Sequence, residues 1–238
     1  MKKTLKLAAE LLSLSVIILI TINGCKRTDE PVTVTDIDGN TYKIVTIGTQ
    51  QWMSVNLKTT RYNDGTPVPL ITDYTEWFSL NTPGYCWYDN NEANNKETYG
   101  ALYNWYAVEP GKLCPTGWHV PTDDDWQILA LYIDPDAEAG FSESAVGGGK
   151  LKESGTKHWS APNEGATDKY GFSALPGGYR LQYNDLNYTD INKFGVWWSS
   201  TESTDIYSWV VDMGYNNAIL YRYLGRKKDG HSVRCIRD

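Results

Sequence analysis

The chain has 238 residues, and its 10 Trp, 17 Tyr and 4 Phe make 13% of it aromatic, while only 21% is charged. This aromatic content provides ample apolar surface to bury, which excludes an intrinsically disordered chain. The 21 Gly and 10 Pro follow no period, which excludes collagen and coiled coils. The formal charge of −7 gives no electrostatic support to a nucleic-acid partner.

Residues 1–24 have the pattern of a lipoprotein signal peptide. Three lysines precede the apolar run Leu11–Ile22, which is shorter than the roughly 20 residues that span a bilayer. The run ends just before Cys25 and resembles a bacterial lipobox, which implies cleavage before Cys25 and acylation of its thiol. An ordinary secretory signal and a short membrane anchor are the alternatives.

We therefore expect a protein of the bacterial cell envelope that is lipid-anchored, at the outer membrane, through Cys25. Several acyl chains on one cysteine give durable anchoring, whereas a single chain binds only marginally. Residues 25–31 are predicted to be a polar tether, and residues 32–238 one folded domain. Removing residues 1–24 removes three Lys and one Glu, which changes the formal charge from −7 to −9.

Three further cysteines remain in the mature chain: Cys86, Cys114 and Cys235. The compartment beyond the inner membrane permits disulfides, but three thiols cannot all pair within one chain. A bridge between Cys114 and Cys235 would close a long loop and stabilise the fold strongly. Zinc is the competing use of these thiols, but the chain has no CxxC motif and only 3 His. At this point the pairing stays open.

Two helices are predicted in the middle of the chain. The first covers Thr98–Val108 and ends at the Glu-Pro-Gly that follows. The second begins at Thr122 as N-cap, carries three Asp in its first turn near the positive end of the helix dipole, and ends at Pro135. Residues 134–170 are predicted to be irregular, and Gly147-Gly148-Gly149 to be a flexible loop.

Short strands are predicted at both ends of the chain. Three are expected within residues 32–55, with a hairpin turn at Asp38-Gly39-Asn40, and residues 56–98 are expected to be mostly loop. The later strands are predicted at Phe172–Leu175, Val196–Ser199, Tyr207–Met213, Ala218–Tyr223 and Ser232–Ile236. Strands at both ends with helices between them predict an α+β fold, and the terminal strands are expected to pair.

Several phrases of the sequence are distinctive in combination. They include Val34-Thr-Asp-Ile-Asp-Gly-Asn-Thr-Tyr-Lys43, Tyr99-Gly-Ala-Leu-Tyr-Asn-Trp105, Cys114-Pro-Thr-Gly-Trp-His-Val-Pro-Thr122, Gly171-Phe-Ser-Ala-Leu-Pro-Gly-Gly-Tyr-Arg180 and Trp197-Trp-Ser-Ser-Thr-Glu202. Together they resemble the Fibrobacter succinogenes major paralogous domain family, which occurs on secreted proteins and lipoproteins of Bacteroidetes-type bacteria. The resemblance runs from Val32 to Asp238 and carries no biochemical function.

The resemblance has implications for the fold and for the cysteines. The family is similar to the C-type-lectin-like fold of the formylglycine-generating enzymes, which implies one α+β domain with short antiparallel strands, two helices and long loops. Family members commonly carry a second Cys soon after the phrase that here reads Cys86-Trp-Tyr-Asp-Asn90, and this chain has none there. The resemblance thus implies a Cys114–Cys235 disulfide and a free Cys86.

The sequence offers no complete catalytic or metal-binding set. The paired cysteines that hold copper in formylglycine oxidases, a Gly-x-Ser-x-Gly elbow and a calcium loop are all lacking. His119 is interpreted as a structural residue at a helix entry. A hydrolase would need two converging carboxyls, with Glu202, Asp205 and Asp212 as candidates. We therefore expect no enzyme activity, no metal and no cofactor.

Aromatic side chains in polar loops are the candidates for ligand binding, because their rings stack on sugars and the neighbouring amides and carboxylates suit a polyol. These candidates are Trp77, Trp87, Tyr88, Trp159, Tyr183, Tyr188 and Tyr215. Core or loop packing is an equal alternative for each of them. We predict a surface-anchored recognition module for a glycan or a protein partner. A divergent polysaccharide-acting hydrolase and a structural envelope protein are the alternatives.

Overall fold

The computed structural model describes residues 32–140, 142–181 and 187–238. This part of the chain contains short strands and helices joined by loops. Its strands are β1 (Thr33–Thr35), β2 (Thr41–Ile47), β3 (Gln50–Met53), β4 (Tyr85–Cys86), β5 (Leu102–Tyr103), β6 (Trp118–His119), β7 (Glu143–Ser144), β8 (Gly177–Arg180), β9 (Tyr188–Ile191), β10 (Phe194–Glu202), β11 (Tyr207–Gly214), β12 (Leu220–Arg226) and β13 (Ile236–Arg237). Its helices are α1 (Tyr74–Ser79), α2 (Glu92–Tyr99), α3 (Trp105–Val108), α4 (Asp123–Ile133) and α5 (Gly147–Leu151), with a 3-10 turn at Tyr88–Asn90. The mixture confirms the α+β class. The proposed signal peptide, tether and Cys25 lie outside the described residues, as does Tyr183.

The strands form a five-stranded sheet ordered β1-β2-β3-β13-β6, a six-stranded sheet ordered β7-β12-β11-β10-β8-β9, and the pair β4-β5. The last strand lies inside the first sheet, where Ile236 pairs with Trp52 on one side and with His119 on the other. The expected pairing of the terminal strands is therefore confirmed. Pro31–Asp238 forms one compact unit.

The six-stranded sheet separates two hydrophobic cores. Side chains alternate across a strand, so Trp198 and Val210 point into one core, while Trp197 and Val211 point into the other. The first core is completed by residues of β2, β3, β5 and α3. The second is closed by the apolar face of α4, from Trp126 onward. Because both faces of the central strands are covered, β10 and β11 are buried along most of their length.

Helix α4 confirms the sequence prediction closely. Thr122 accepts a hydrogen bond from the Asp125 backbone, and the Asp125 side chain accepts one from the Thr122 backbone, which completes a capping box. Asp125 and Asp238 also bond the two ring nitrogens of His119 and raise its pKa. His119 thus joins the start of α4 to the C-terminal residue, the structural role that we expect for it.

The single helix predicted over Thr98–Val108 is wrong. Helix α2 ends at Tyr99, β5 follows, and a separate helix α3 begins at its cap Asn104. The break is Gly100, which has φ +74, and a Cβ there would lie 2.6 Å from the Leu57 carbonyl oxygen. A residue with a side chain would be strained in this backbone conformation, so a continuous helix cannot form.

The flexible glycine loop is also wrong, because Gly147-Gly148-Gly149 begins α5 and is buried. A Cβ on Gly148 would lie 2.2 Å from the Ile219 carbonyl oxygen, so these glycines allow α5 to approach the backbone at Ile219 closely.

Two further predictions of secondary structure are wrong. No strand forms at Phe172–Leu175, where Ala174 makes only an isolated bridge with Lys152. Residues 56–98, expected to be mostly loop, contain α1, β4 and nearly all of α2.

A disulfide joins Cys114 to Cys235, 121 residues further on, with Cα atoms 6.0 Å apart. This is the pairing implied by the family resemblance. Cys86 is free and fully buried, and burial raises the pKa of its thiol. A buried, protonated thiol is a poor nucleophile.

Among the described residues, no helix combines the length and the apolar character that a membrane crossing requires.

Candidate ligand-binding site

The three tryptophans among the predicted ligand-binding residues are buried. Trp77 has no exposed surface, and Trp87 and Trp159 are each 2% exposed. The indole N–H groups of Trp77 and Trp159 donate to the carbonyl oxygens of Lys228 and Ala174. Their rings therefore contribute to the hydrophobic cores and offer no face to a ligand. The expectation that these three are exposed in loops is wrong, since burial of a large ring outweighs the polarity of its sequence neighbours.

Two of the predicted tyrosines meet, but around a structural residue. The rings of Tyr88 and Tyr188 lie 5.3 Å apart. The guanidinium of Arg180 lies 5.0 Å from the Tyr188 ring and 4.4 Å from the Trp77 ring. Arg180 is fully buried and donates to the carbonyl oxygen of Ile71. This cluster therefore stabilises the fold from inside.

Tyr215, the remaining described candidate, is half-buried and packs its ring edge-on against Phe194. It lies apart from the Tyr88–Tyr188 pair, and it lines none of the larger clefts described below. The six predicted residues that lie in the described part of the chain therefore do not meet at one site.

A cleft of about 270 Å³ lies beside β8 and the second half of β12. Tyrosine rings dominate its wall, and we call it the tyrosine cleft. Its lining residues are Tyr179, Leu181, Tyr207, Tyr223, Leu224, Gly225, Arg226, Asp229 and His231. Among the described residues, no strand pairs with the outer edge of β12 beyond Tyr221, so this end of β12 is an edge of the sheet.

Backbone pairing brings these residues together. Arg180 at the end of β8 pairs with Gly230 through both of its backbone hydrogen bonds. The next residue, His231, pairs in the same way with Tyr103 of β5. These contacts place the His231 ring 6.0 Å from the Tyr179 ring and 4.5 Å from the Trp198 ring. The floor of the cleft therefore belongs to the rigid core of the domain.

His231 is the most unusual group in the cleft. It is 3% exposed, and burial lowers its pKa to about 3, so the imidazole is neutral. Its Nδ1 atom has no hydrogen-bond partner among the described residues. A buried polar atom without a partner costs roughly 1–3 kcal/mol.

Asp212 lies on the same face of the sheet, because Tyr223 pairs with Val210, two residues before Asp212 on β11. Burial raises the pKa of Asp212 to about 6, and a hydrogen bond from Tyr223 opposes the rise. Its Oδ1 atom also lacks a partner in the described part of the chain. Asp212 therefore adds a second unsatisfied polar atom beside the tyrosines.

The tyrosine hydroxyls themselves stay protonated. The hydroxyl of Tyr179 donates to Asp190 at 2.7 Å, and burial together with this carboxylate raises its pKa. Burial and the charge of Asp212 likewise raise the pKa of Tyr223. The cleft thus presents neutral phenols surrounded by carboxylates.

Replacing Asp212 with Asn should raise the free energy of unfolding at pH 7.5 by up to about 3 kcal/mol. The folded-state pKa, about 6, lies above the ordinary value of 3.8. Asp212 therefore stabilises the fold when it is protonated, and this contribution is lost as the pH rises through 6. Urea unfolding at pH 7.5 and pH 4.5 measures the difference between Asp212→Asn and the unaltered protein.

Asp205→Asn is the matched control, because it removes the same charge from an exposed residue and should change stability by less than about 0.5 kcal/mol. A less stable Asp212→Asn protein at pH 7.5 would contradict the prediction.

The carboxylates considered for a hydrolase do not converge. Glu202 bonds Lys227, and Asp205 is exposed in the turn between β10 and β11. Glu202 lies opposite Ser208, four residues along β11 from Asp212, which is about 13 Å at the strand rise. Glycosidase carboxyls lie roughly 5–9.5 Å apart. The carboxylates that do collect around the cleft tyrosines are Asp190, Asp212 and Asp229.

A larger cleft, of about 740 Å³, lies over the loop between α4 and α5. Its described lining residues include several carboxylates and no aromatic side chain, so it lacks the ring faces of the tyrosine cleft. Among the described residues, no group of three or more His, Cys, Asp or Glu side chains is placed to hold a metal ion.

Fold and cleft together define an α+β domain with an open, tyrosine-lined cleft beside its six-stranded sheet. The chain belongs to the Fibrobacter succinogenes major domain family, whose sequence profile matches residues 45–237. The match includes every residue that lines the tyrosine cleft. No curated protein and no solved structure matches this chain.

The local sequence does not predict which residues line the tyrosine cleft. Tyr179 lies within a family phrase, where a role in the fold is the simpler interpretation. His231 is one of only 3 His in the chain and stands in no motif that indicates a binding site. Tyr221 and Tyr223 alternate along β12, a signal that predicts a shared face of the sheet. Of these two tyrosines, only Tyr223 lines the cleft, so the alternation by itself does not define the site.

Proposed function

We propose that this protein is a non-catalytic recognition module that binds a saccharide in the tyrosine cleft. The observation that carries the proposal is a cleft whose lining combines the rings of Tyr179, Tyr207 and Tyr223 with His231, a buried imidazole whose Nδ1 has no partner among the described residues. A sugar offers apolar C–H faces to aromatic rings and hydroxyl groups to polar atoms. Both kinds of partner are present here within one cleft.

The polar groups of the cleft suit a polyol. Hydroxyl groups both donate and accept hydrogen bonds. Asp229 offers a carboxylate acceptor, Arg226 and the Tyr207 hydroxyl offer donors, and the neutral His231 ring carries one donor and one acceptor nitrogen. The volume of about 270 Å³ is at the lower end of ligand-pocket volumes, which suits about one or two sugar rings. The ligand would be held by stacking and hydrogen bonds without a charged nucleophile.

The proposal includes the cellular address and the finer fold class. We propose that the chain is anchored by acyl groups on Cys25 at the outer membrane of a Bacteroidetes-type bacterium, on the strength of the lipobox-like sequence. The Cys114–Cys235 disulfide supports an oxidising compartment. A C-type-lectin-like fold is supported by the short antiparallel strands, the capped helix α4 and the placement of β13 beside β3.

Replacing Tyr223 with Ala should weaken saccharide binding about tenfold, because loss of one aromatic stacking contact costs roughly 1–1.5 kcal/mol. A glycan array with the protein that lacks residues 1–25 identifies the ligand, and calorimetry gives its Kd. Tyr132→Ala is the matched control, since this tyrosine is also exposed (53%) but belongs to α4, and its variant should bind normally.

Binding that survives Tyr223→Ala unchanged would refute the tyrosine cleft as the site. If no glycan on the array bound the protein, saccharide recognition would be refuted. Capture of a defined envelope protein would then favour a protein partner. Release of reducing sugar from a bound glycan would establish the hydrolase alternative.

A further inference from the structure

A second cleft, of about 350 Å³, borders the tyrosine cleft. It is lined by Asn81, Tyr106, Asp205, Ile206, Arg226 and Lys228, and we call it the basic cleft. Arg226 lines both clefts. Because its strand partner Tyr207 lines the first cleft and the adjacent Ile206 lines the second, the two clefts lie side by side at the same end of β11 and β12.

The sequence between the clefts is a basic run, Arg226-Lys227-Lys228, in a chain whose formal charge is −7. Its middle residue is used by the fold, since Lys227 is buried, bonds Glu202 and lies 4.5 Å from the Trp105 ring. Arg226 and Lys228 instead line the basic cleft, and Arg226 also lines the tyrosine cleft. They are therefore the two cations that face the clefts.

In contrast to the tyrosine cleft with its neighbouring carboxylates, the basic cleft has two cations and one carboxylate among its lining residues. The guanidinium of Arg226 lies 5.4 Å from the Tyr207 ring, so a group stacked in the tyrosine cleft comes close to this charge. The ammonium of Lys228 makes a long contact of 3.3 Å to the Phe78 carbonyl oxygen, which is a weak hydrogen bond. Asp205, the carboxylate of the basic cleft, is exposed to solvent.

We infer that the ligand is a linear oligosaccharide that contains uronic acid. One sugar ring lies in the tyrosine cleft, the next extends into the basic cleft, and the carboxylate of the uronic acid pairs with Arg226 and Lys228. Arginine and carboxylate form strong, charge-assisted hydrogen bonds. The inference rests on the proposed function and adds to it the charge and the length of the saccharide.

The test uses matched probes. Hexamers of oligogalacturonate, oligomannuronate and oligoglucuronate are compared with the same hexamers after chemical reduction of their carboxyl groups, by calorimetry at 20 mM and 200 mM salt. We expect at least one acidic hexamer to bind, carboxyl reduction to weaken it at least tenfold, and added salt to weaken only the acidic form, because salt screens exposed charges.

Two variants separate the parts of the site. Lys228→Gln should weaken the acidic hexamer about fivefold and leave any residual binding of its reduced form unchanged. Lys157→Gln, which removes the same charge from an exposed loop residue, is the matched control. Tyr223→Ala should weaken both forms.

Equal binding of the acidic and reduced hexamers, or a glycan array whose hits are all neutral, would overturn the uronic-acid inference and leave the saccharide proposal standing. Failure of every glycan on the array to bind would overturn both. Unchanged binding of the acidic hexamer by Lys228→Gln would overturn the placement of its carboxylate.

Discussion

Replacing both Cys114 and Cys235 with Ala should lower the free energy of unfolding by about 5 kcal/mol. The bridge closes a loop in which the two cysteines are 121 residues apart, and the entropy of the unfolded chain rises when that loop opens. For a domain of this size the melting temperature should fall by roughly 10–20 °C. Thermal unfolding followed by circular dichroism measures the difference.

The location of the bridge adds to this expectation. Cys235 directly precedes β13, whose Ile236 pairs with both neighbouring strands of the five-stranded sheet. Cys114 precedes β6, one of those neighbours. The disulfide therefore holds the C-terminal strand between β3 and β6. If this strand detached, the edges of both neighbouring strands would lose their partner.

Reductant and a third cysteine control the experiment. Dithiothreitol should lower the melting temperature of the unaltered protein to that of the double variant and leave the double variant unchanged. Cys86→Ala removes a thiol that is buried and free, so it should cost only about 1 kcal/mol for a small cavity and should keep the response to reductant. A double variant that melts like the unaltered protein would contradict the prediction.

Lowering the pH from 6.5 to 4 should cost the fold about 3 kcal/mol through His231 alone. The folded-state pKa is about 3, against the ordinary value of 6.5. Between these values the unfolded chain binds a proton that the folded chain does not. The stabilisation is therefore complete above pH 6.5 and is lost progressively as the pH falls.

Urea unfolding of the unaltered protein and of His231→Gln, at pH 7 and pH 4, isolates this contribution. The variant should lose about 3 kcal/mol less than the unaltered protein between the two conditions. Asp212 acts in the opposite direction over the same range, because its raised pKa favours the folded state as the pH falls. Asp212→Asn should therefore steepen the acid loss. Equal losses for His231→Gln and the unaltered protein would contradict the assignment of His231.

The same two groups connect stability with binding. His231 and Asp212 each have a polar atom without a partner among the described residues, and burial shifts the pKa of each group so that its neutral form is favoured, to about 3 for His231 and about 6 for Asp212. Perturbed groups of this kind cluster at functional sites. A ligand that bonded them would stabilise the fold, so a saccharide that binds should also raise the melting temperature.

Local sequence determined several features of the fold without help from distant residues. The sequence predicted α4 correctly from the capping pattern of Thr122 and Asp125 and from the apolar residues that follow at helical spacing. This was possible because the N-cap and the apolar residues all lie within about three turns of one helix. The hairpin turn at Asp38-Gly39 and the three strands around it were predictable for the same reason. Family resemblance, carried by phrases along the chain, indicated the cysteine pairing that composition left open.

Only the tertiary structure decided which aromatic rings are buried and which line a cleft. Trp77, Trp87 and Trp159 have polar neighbours in sequence, yet packing against distant residues buries them. Tyr179, Tyr223 and His231 come from separate segments and meet only because β8, β12 and the chain after β12 are brought together by backbone pairing. Residue type and spacing are local properties, whereas the burial of a side chain and the meeting of distant residues depend on pairing across the whole sheet. For that reason the sequence determined the family and the class of fold. The structure alone located the candidate site.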